Sequence, residues 1–219
     1  ADIWGTSDQF RFTYVTMTGN GSITARVVSI DNTDYYARAG VMIRNTSTGT
    51  STAAGSKFAA VMVHQSDAGV RYQYRTANNG GTGETVFGGA AQAAPYWVRL
   101  IRTGTTVQGF RSADGVTWVS AGSTTLSLGA TAYVGLAVTS HLDGTLCTAT
   151  FDNVTVNWLP DAPGDLPATP GSHQIALTWS TSPNAASYNV KRSLGSGGPY
   201  TTIATGVTAP TYTDAGLAD

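Results

Sequence analysis

The chain has 219 residues and is poor in the groups from which most active sites are assembled. It has one glutamate, Glu84, and one cysteine, Cys147. A lone cysteine excludes an intrachain disulfide, and its setting, LAVTSHLDGTLCTATF, reads as strand or turn with a small half-buried thiol. Charged residues make up only 11% of the chain, and 12 Lys and Arg against 13 Asp and Glu leave a net charge of −1. A nucleic-acid-binding domain carries a strong basic excess, so no nucleic-acid partner is expected. No apolar run approaches the roughly 18 residues of a membrane helix, and no membrane insertion is expected. The chain opens Ala-Asp with no leader pattern, which reads as a mature or excised piece.

Catalytic patterns are missing as well. A glycosidase sets two carboxyl groups about 5 to 9.5 Å apart, which on a strand means acidic residues at i and i+2 or i+4. Glu84 stands alone in a Thr/Gly stretch, and no Asp-x-Asp or Glu-x-Asp occurs. There is no Gly-x-Ser-x-Gly elbow, and Gly195-Ser196-Gly197 reads as a hairpin turn. His64, His141 and His173 lack zinc-ligand spacing. The expectation is a chain without catalytic activity of its own.

What the chain does hold is β-forming sequence. Helical periodicity is absent, and short runs rich in Val, Thr, Ile and Tyr end in Gly, Asn, Asp or Ser clusters. The expected strands are 9–15, 22–30, 35–44, 57–65, 70–75, 96–103, 106–112, 133–139 and 148–157. Between them, Gly19-Asn20-Gly21, Asp67-Ala68-Gly69, Asn78-Asn79-Gly80-Gly81 and Asp114-Gly115 offer residues that tolerate positive φ. Near residue 158 the texture changes to WLPDAPGDLP, whose prolines forbid regular pairing and stiffen the chain. A second strand series follows at 173–180, 187–193, 200–205 and 210–214. The boundaries are therefore a β-sandwich over 1–157, a Pro-rich linker over 158–168 and a smaller β unit over 169–219.

Two stretches carry family resemblances. The run QIALTWSTSPNAASYNVKRSLGSGGPYTTIATGVTAPTYTDAGL resembles a fibronectin type III module, with Trp179 and Tyr188 at the family's core positions. The family pattern continues for two more strands, so the resemblance implies a module lacking its last strands. The stretches DIWGTSDQFRFTY, YYARAGVMIR, APYWVRLIR, SADGVTWVSAG, VGLAVTSH and FDNVTV resemble the concanavalin A-like, laminin-G-like jelly-roll domains of secreted bacterial proteins. These resemblances imply an all-β chain, a concanavalin-like antiparallel sandwich plus a partial immunoglobulin-like one. They also imply a secreted, extracellular, multimodular parent protein whose partners are a polysaccharide or glycan, neighbouring modules of the same polypeptide, or adjacent subunits. Jelly-roll relatives often hold a structural calcium ion near their termini, which singles out Asp152, with Asp2 beside it.

Strand alternation picks a candidate binding face. In 35–44, Ala39, Val41 and Ile43 share one side, and Arg38, Met42 and Arg44 the other. In the next runs Val61 and Val63 turn inward, while His64, Gln73 and Arg75 fall with the arginines if the strands are adjacent. Sugar hydroxyls need hydrogen-bonding groups and ring C–H faces need aromatic platforms. Arg38, Arg44, His64, Gln73 and Arg75 supply the former; Tyr72, Trp118 or His141 supply the latter. The plainer reading of the same residues is a solvated outer sheet face. Two functions from different classes stand at this point. One is a carbohydrate-binding ancillary module; the other is a structural repeat of an adhesin, surface layer or filament joined by strand complementation.

Overall fold

The computed structural model describes residues 2–45, 54–65, 69–87 and 92–218. The chain divides into two compact units, Ala1–Trp158 and Leu159–Asp219. Both are built of antiparallel strands, and among the described residues no helix is long and apolar enough to cross a membrane.

Among its described residues the first unit has thirteen strands: β1 (Ile3–Trp4), β2 (Ser7–Asp8), β3 (Arg11–Thr18), β4 (Asn20–Ile30), β5 (Arg38–Asn45), β6 (Phe58–His64), β7 (Val70–Arg75), β8 (Gly83–Phe87), β9 (Tyr96–Thr103), β10 (Thr106–Ser112), β11 (Val119–Thr125), β12 (Thr131–Thr139) and β13 (Ala149–Leu159). One sheet has the order β11-β10-β9-β4-β13 and the other β3-β12-β5-β6-β7-β8. Their inner faces make one core, in which Ile23 and Val27 of β4 and Val98 and Leu100 of β9 join Val41, Ile43, Val61 and Val63 of β5 and β6. Every second residue of these strands goes inward, as the alternation requires. Burying each such side chain stabilises the fold by about 1.5–3 kcal/mol.

Tyr72 lies fully buried at the centre of this core and donates its hydroxyl to the Val107 carbonyl at 2.8 Å. Its ring fits because Gly109 and Gly122 pair opposite one another on β10 and β11. A Cβ at either glycine would come within 2.5 or 2.6 Å of the ring. Burial pushes the Tyr72 phenol well above its ordinary range.

The second unit holds β14 (Ala168–Gly171), β15 (Gln174–Thr178), β16 (Tyr188–Arg192), β17 (Thr201–Val207) and β18 (Thr211–Ala215). These form a three-stranded sheet, β14-β15-β18, and a two-stranded sheet, β16-β17. Among its described residues, Trp179 and Val190 are the buried apolar side chains. Trp179 meets Tyr188 edge-on at 5.3 Å, and the Tyr188 hydroxyl accepts the Ser182 amide at 3.0 Å.

Besides the two-residue strands β1 and β2, the sequence does not announce β8, β11 and β14, which are all edge strands. An edge strand has one neighbour and little core to fill, so GETVF, VSAGSTT and ATPG show no alternation; Pro170 is tolerated in β14 for the same reason. Of the expected turns, Gly19, Asn79 and Gly115 do adopt positive φ. Asp67 and Ala68 lie outside the described residues. At the Asp114 turn the carboxylate accepts the Val116 and Thr117 amides at 2.8 and 2.7 Å and the Ser112 hydroxyl at 2.8 Å. These donors hold its pKa far below the usual carboxylate range.

Candidate functional site

The outward face of the six-stranded sheet carries the residues picked out by alternation. Pairing sets Arg44, Phe58 and Arg75 in one row, Met42, Ala60 and Gln73 in the next, and Met62 beside Arg71 in a third, with Arg38 opposite His64 at the end. The residues do share a face, but most of that face is covered. The sequence Ile3-Trp4-Gly5-Thr6-Ser7-Asp8 forms a minimal hairpin in which Ile3 pairs with Asp8 and Trp4 with Ser7. Gly5 has φ of 63°, the conformation that a two-residue hairpin turn with glycine first demands. One side of the hairpin, Ile3 and Asp8, is buried against the sheet; the other, Trp4 and Ser7, is exposed.

Three arginines fasten this hairpin. Arg75 grips Asp8 with two parallel bonds of 2.7 Å, one to each carboxylate oxygen. Its guanidinium also donates to the carbonyls of Gly5 at 2.9 Å and Gly80 at 2.9 Å. Arg44 reaches the same Asp8 at 2.6 Å and the Ala54 carbonyl at 3.0 Å. Arg38 pairs with Asp2 and donates to the Ile3 carbonyl at 3.0 Å. Ile3 closes a second apolar cluster with Met42, Phe58, Ala60, Met62 and Ala137. Arg38, Arg44 and Arg75 are thus buried, and burial lowers the first two guanidinium pKa values against the raising effect of their aspartates. His64 is buried too: its Nδ1 lies 3.1 Å from the Gly69 carbonyl, and desolvation, then the Arg38 and Arg71 charges, lowers its pKa to about 3.

Where the hairpin stops, a cleft of about 260 Å³ opens, lined by Asp2, Trp4, Tyr36, Arg71, Gln73, Glu84 and His141. Arg71 donates to Glu84 at 2.8 Å and holds its guanidinium 5.5 Å from the Tyr36 ring centre. Gln73 gives its amide to the other Glu84 oxygen at 3.2 Å. Gln73 is only 1% exposed, and among the described residues its Oε1 and the Nε of Arg71 have no partner. At the other end His141, on the loop after β12 with φ of 55°, lies 3.3 Å from Asp2 and 2.8 Å from Asp34. Its ring also packs against Tyr36 at 5.3 Å. The backbone amide of Tyr36, then the His141 contact, holds the Asp34 carboxyl below its usual pKa against slight desolvation. Trp4 is 42% exposed and Tyr36 40% exposed, so two partly exposed aromatic side chains line the cleft together with the unpaired atoms of Gln73 and Arg71.

Of the expected site residues, the cleft gathers Gln73 and His141, with Arg38 and His64 packed behind its rim. Arg44 and Arg75 lie beneath the hairpin. Tyr72 is on the opposite face of β7, inside the core, and so is not a platform. Trp118 stands on the other sheet, its ring covered by the Arg99 guanidinium at 3.8 Å. The sequence selection left out Trp4, Tyr36, Arg71 and Glu84, although alternation puts Arg71 on the same side of its strand as Gln73 and Arg75. The hairpin signal Gly-Thr between Ile-Trp and Ser-Asp marks Trp4, and β8 pairing places Glu84 opposite Gln73.

Asp152 does not fit a calcium ion. One oxygen takes the Arg26 guanidinium at 3.2 Å and the other the Asn153 amide at 3.0 Å, so a cation already fills the place that calcium would need. Among the described residues no group of three or more His, Cys, Asp or Glu is arranged to hold a metal.

No family model matches the chain. It is 42% identical over 55 residues to an amylopullulanase of Thermoanaerobacterium saccharolyticum, covering 25% of this chain and 4% of that protein. It is 42% identical over 74 residues to an amylopullulanase of Thermoanaerobacter thermohydrosulfuricus, covering 33% of this chain and 5% of that one. The chain therefore spans a small fraction of these curated relatives, and the similarity to bacterial carbohydrate-active enzymes is distant and partial. Among solved structures, a functionally unknown protein from Saccharomyces cerevisiae superposes with a TM-score of 0.56 at 17% identity, over 71% of this chain and 82% of that one. This likeness is one of fold.

Proposed function

We propose that this chain is a carbohydrate-binding ancillary part of a larger secreted protein, without catalysis of its own, and that the Trp4 cleft receives the sugar. The first unit is read as a concanavalin-like jelly roll and the second as a fibronectin type III spacer. The observation that carries the reading is the composition of the cleft. Two partly exposed aromatic side chains, Trp4 and Tyr36, line the cleft with a buried Gln73 whose Oε1 lacks a partner and an Arg71 whose Nε–H lacks one among the described residues. A buried acceptor without a partner costs about 1–3 kcal/mol, and a small turn of the Gln73 amide toward the cleft would let a ligand hydroxyl relieve it. Both Glu84 oxygens are engaged by Arg71 and Gln73, and Asp2 is engaged by Arg38 and His141. These carboxylates are held as acceptors rather than poised as an acid and a base, which supports binding over hydrolysis. The partial similarity to amylopullulanases adds a carbohydrate context.

The test is a panel of immobilised polysaccharides, with starch and pullulan among them, probed with wild type, Trp4→Ala and Arg71→Ala. Saturable binding to one member, lost in both variants, is the expected result. Binding indifferent to both variants, or no binding, overturns the reading.

A second reading, a structural repeat joined by strand addition, draws on the second unit alone. There Leu166, Leu177, Trp179, Tyr188 and Val190 line an apolar cavity of about 360 Å³, with Trp179 Nε1 unpartnered among the described residues. Added strands would close it. Concentration-dependent self-association seen by sedimentation, with no polysaccharide bound, would favour this reading.

A further inference from the structure

The outward face of the six-stranded sheet has a second open region, on the side away from the Trp4 cleft. Phe10, Phe12, Tyr14 and Tyr133 form a continuous ladder of rings with centroid separations of 5.7, 5.1 and 4.3 Å. The register explains the ladder. Phe12 and Tyr14 are two apart on β3 and so share a face, and Tyr14 pairs with Gly135, which leaves room for its ring to lean toward Tyr133 on the same strand as the glycine. A Cβ at Gly135 would come within 2.0 Å of the Thr13 carbonyl oxygen, so the close approach of the two strands depends on that glycine.

The rings do not bury one another. Tyr14 stays 50% exposed, and the ladder walls a hollow of about 380 Å³ whose rim includes Gln9, Asn45 and Ser56. The charges that reach this hollow, Arg44 and Asp8, are spent on each other, with Arg44 lying 5.3 Å from the Phe10 ring centre. The surface therefore offers flat ring faces, phenol hydroxyls and neutral amides, with little free charge. An apolar helix would want a continuous aliphatic groove, and an anionic polymer would want unpaired cations. Rings edged by uncharged hydrogen-bonding groups match a neutral sugar chain, whose ring C–H faces stack while its hydroxyls turn to the rim.

We propose that the Phe12–Tyr14–Tyr133 ladder is a second binding subsite for the same neutral polysaccharide, spanned together with the Trp4 cleft by a single chain. This rests on the carbohydrate reading of the cleft. The ladder sits on β3 and β12 and the cleft on β7 and β8, so four strand steps of about 4.8 Å put them roughly 19 Å apart on one face. Two linked contacts on one polymer raise its affinity above that of either alone, so binding should depend on ligand length.

The experiment is affinity electrophoresis of wild type, Trp4→Ala, Tyr14→Ala/Tyr133→Ala and Tyr14→Trp through gels containing starch, pullulan, xylan, arabinan, mannan or mixed-linkage β-glucan. It is followed by competition with oligosaccharides, from disaccharide to octasaccharide, of whichever polymer retards the wild type. The double variant is expected to bind the polymer about tenfold more weakly while its competition by the disaccharide stays unchanged, and Tyr14→Trp should bind as wild type does. Thermal melts of the double variant and Tyr14→Trp check that both remain folded. Retardation of the double variant equal to wild type, with Trp4→Ala still defective, overturns the second subsite and leaves the cleft reading intact. No retardation of the wild type by any of these polymers overturns both.

Discussion

Four arginines lie on the outward face of one sheet, and they do different work. Arg38, Arg44 and Arg75 are buried, each paired to a carboxylate of the N-terminal segment and bonded to carbonyls. Arg71, four residues before Arg75 on the same strand face, is half-buried at the edge of an open cleft and shares Glu84 with Gln73. The difference is made by the hairpin of residues 3–8, which covers one part of the face and ends at the other. An arginine on a strand face is a fastener or a ligand contact according to what lies over it, and the strand carrying it does not encode that distinction.

The comparison can be broken most severely at Asp8. It pairs with both Arg44 and Arg75, and Asp8→Ala strands two buried cations; a loss of about 3–5 kcal/mol in urea unfolding is expected, in the range for breaking a buried pair. A loss below about 1 kcal/mol would mean the hairpin is not held by these bonds.

His64 sharpens the same contrast through pH. Its folded pKa is lowered to about 3 by burial and by Arg38 and Arg71, with His141 adding a smaller effect, whereas the unfolded side chain titrates near its ordinary 6.5. Between these values the unfolded state binds the extra proton. The stability contributed by neutral His64 is therefore complete above about pH 6.5 and lost as pH falls toward 3, with a slope of up to about 1.4 kcal/mol per pH unit. His64→Gln should flatten the wild-type profile across that window, as followed by chemical denaturation at several pH values.

In the core behind this face, Gly109→Ala should drive a methyl into the Tyr72 ring and cost about 1–3 kcal/mol, measured in the same way. The smallest expected stability effect is Arg71→Ala, about 1 kcal/mol, because its ion pair is partly solvated. The ordering of Asp8 above Arg71 is the signature of fasteners beside a cleft.

How much of this was legible follows the same division. The inward residues of β5, β6 and β7 could be read from period-two alternation, since both neighbours of each strand are strands and one face meets the core. The sharing of a face by Arg38, Arg44, His64, Gln73 and Arg75 was legible for the same reason. The cover was not, because β1 and β2 are two residues each and carry no period, and Asp2 and Asp8 look like turn residues. Nor could alternation find Trp4 or Glu84: one projects from the outer side of that hairpin, the other from an edge strand whose composition resembles a loop. Tyr72 was expected at the ligand but is in the core, where two glycines on the facing strands make space that its own strand does not announce. The chemical misfit of Asp152 for calcium arises from Arg26, which is distant in sequence and adjacent only once β4 and β13 pair.

The most direct test of the central claim uses the indole N–H signals of the five tryptophans. The protein would be titrated with soluble starch and pullulan, or with the polymer that retards it in gels, and the signals followed by nitrogen-15 NMR. The account predicts that the Trp4 indole and the Gln73 side-chain amide move with the added sugar while the Trp97, Trp118 and Trp179 indoles stay in place. Movement centred on Trp97 or Trp118, on the opposite sheet, or no movement at Trp4 at saturation, would contradict it.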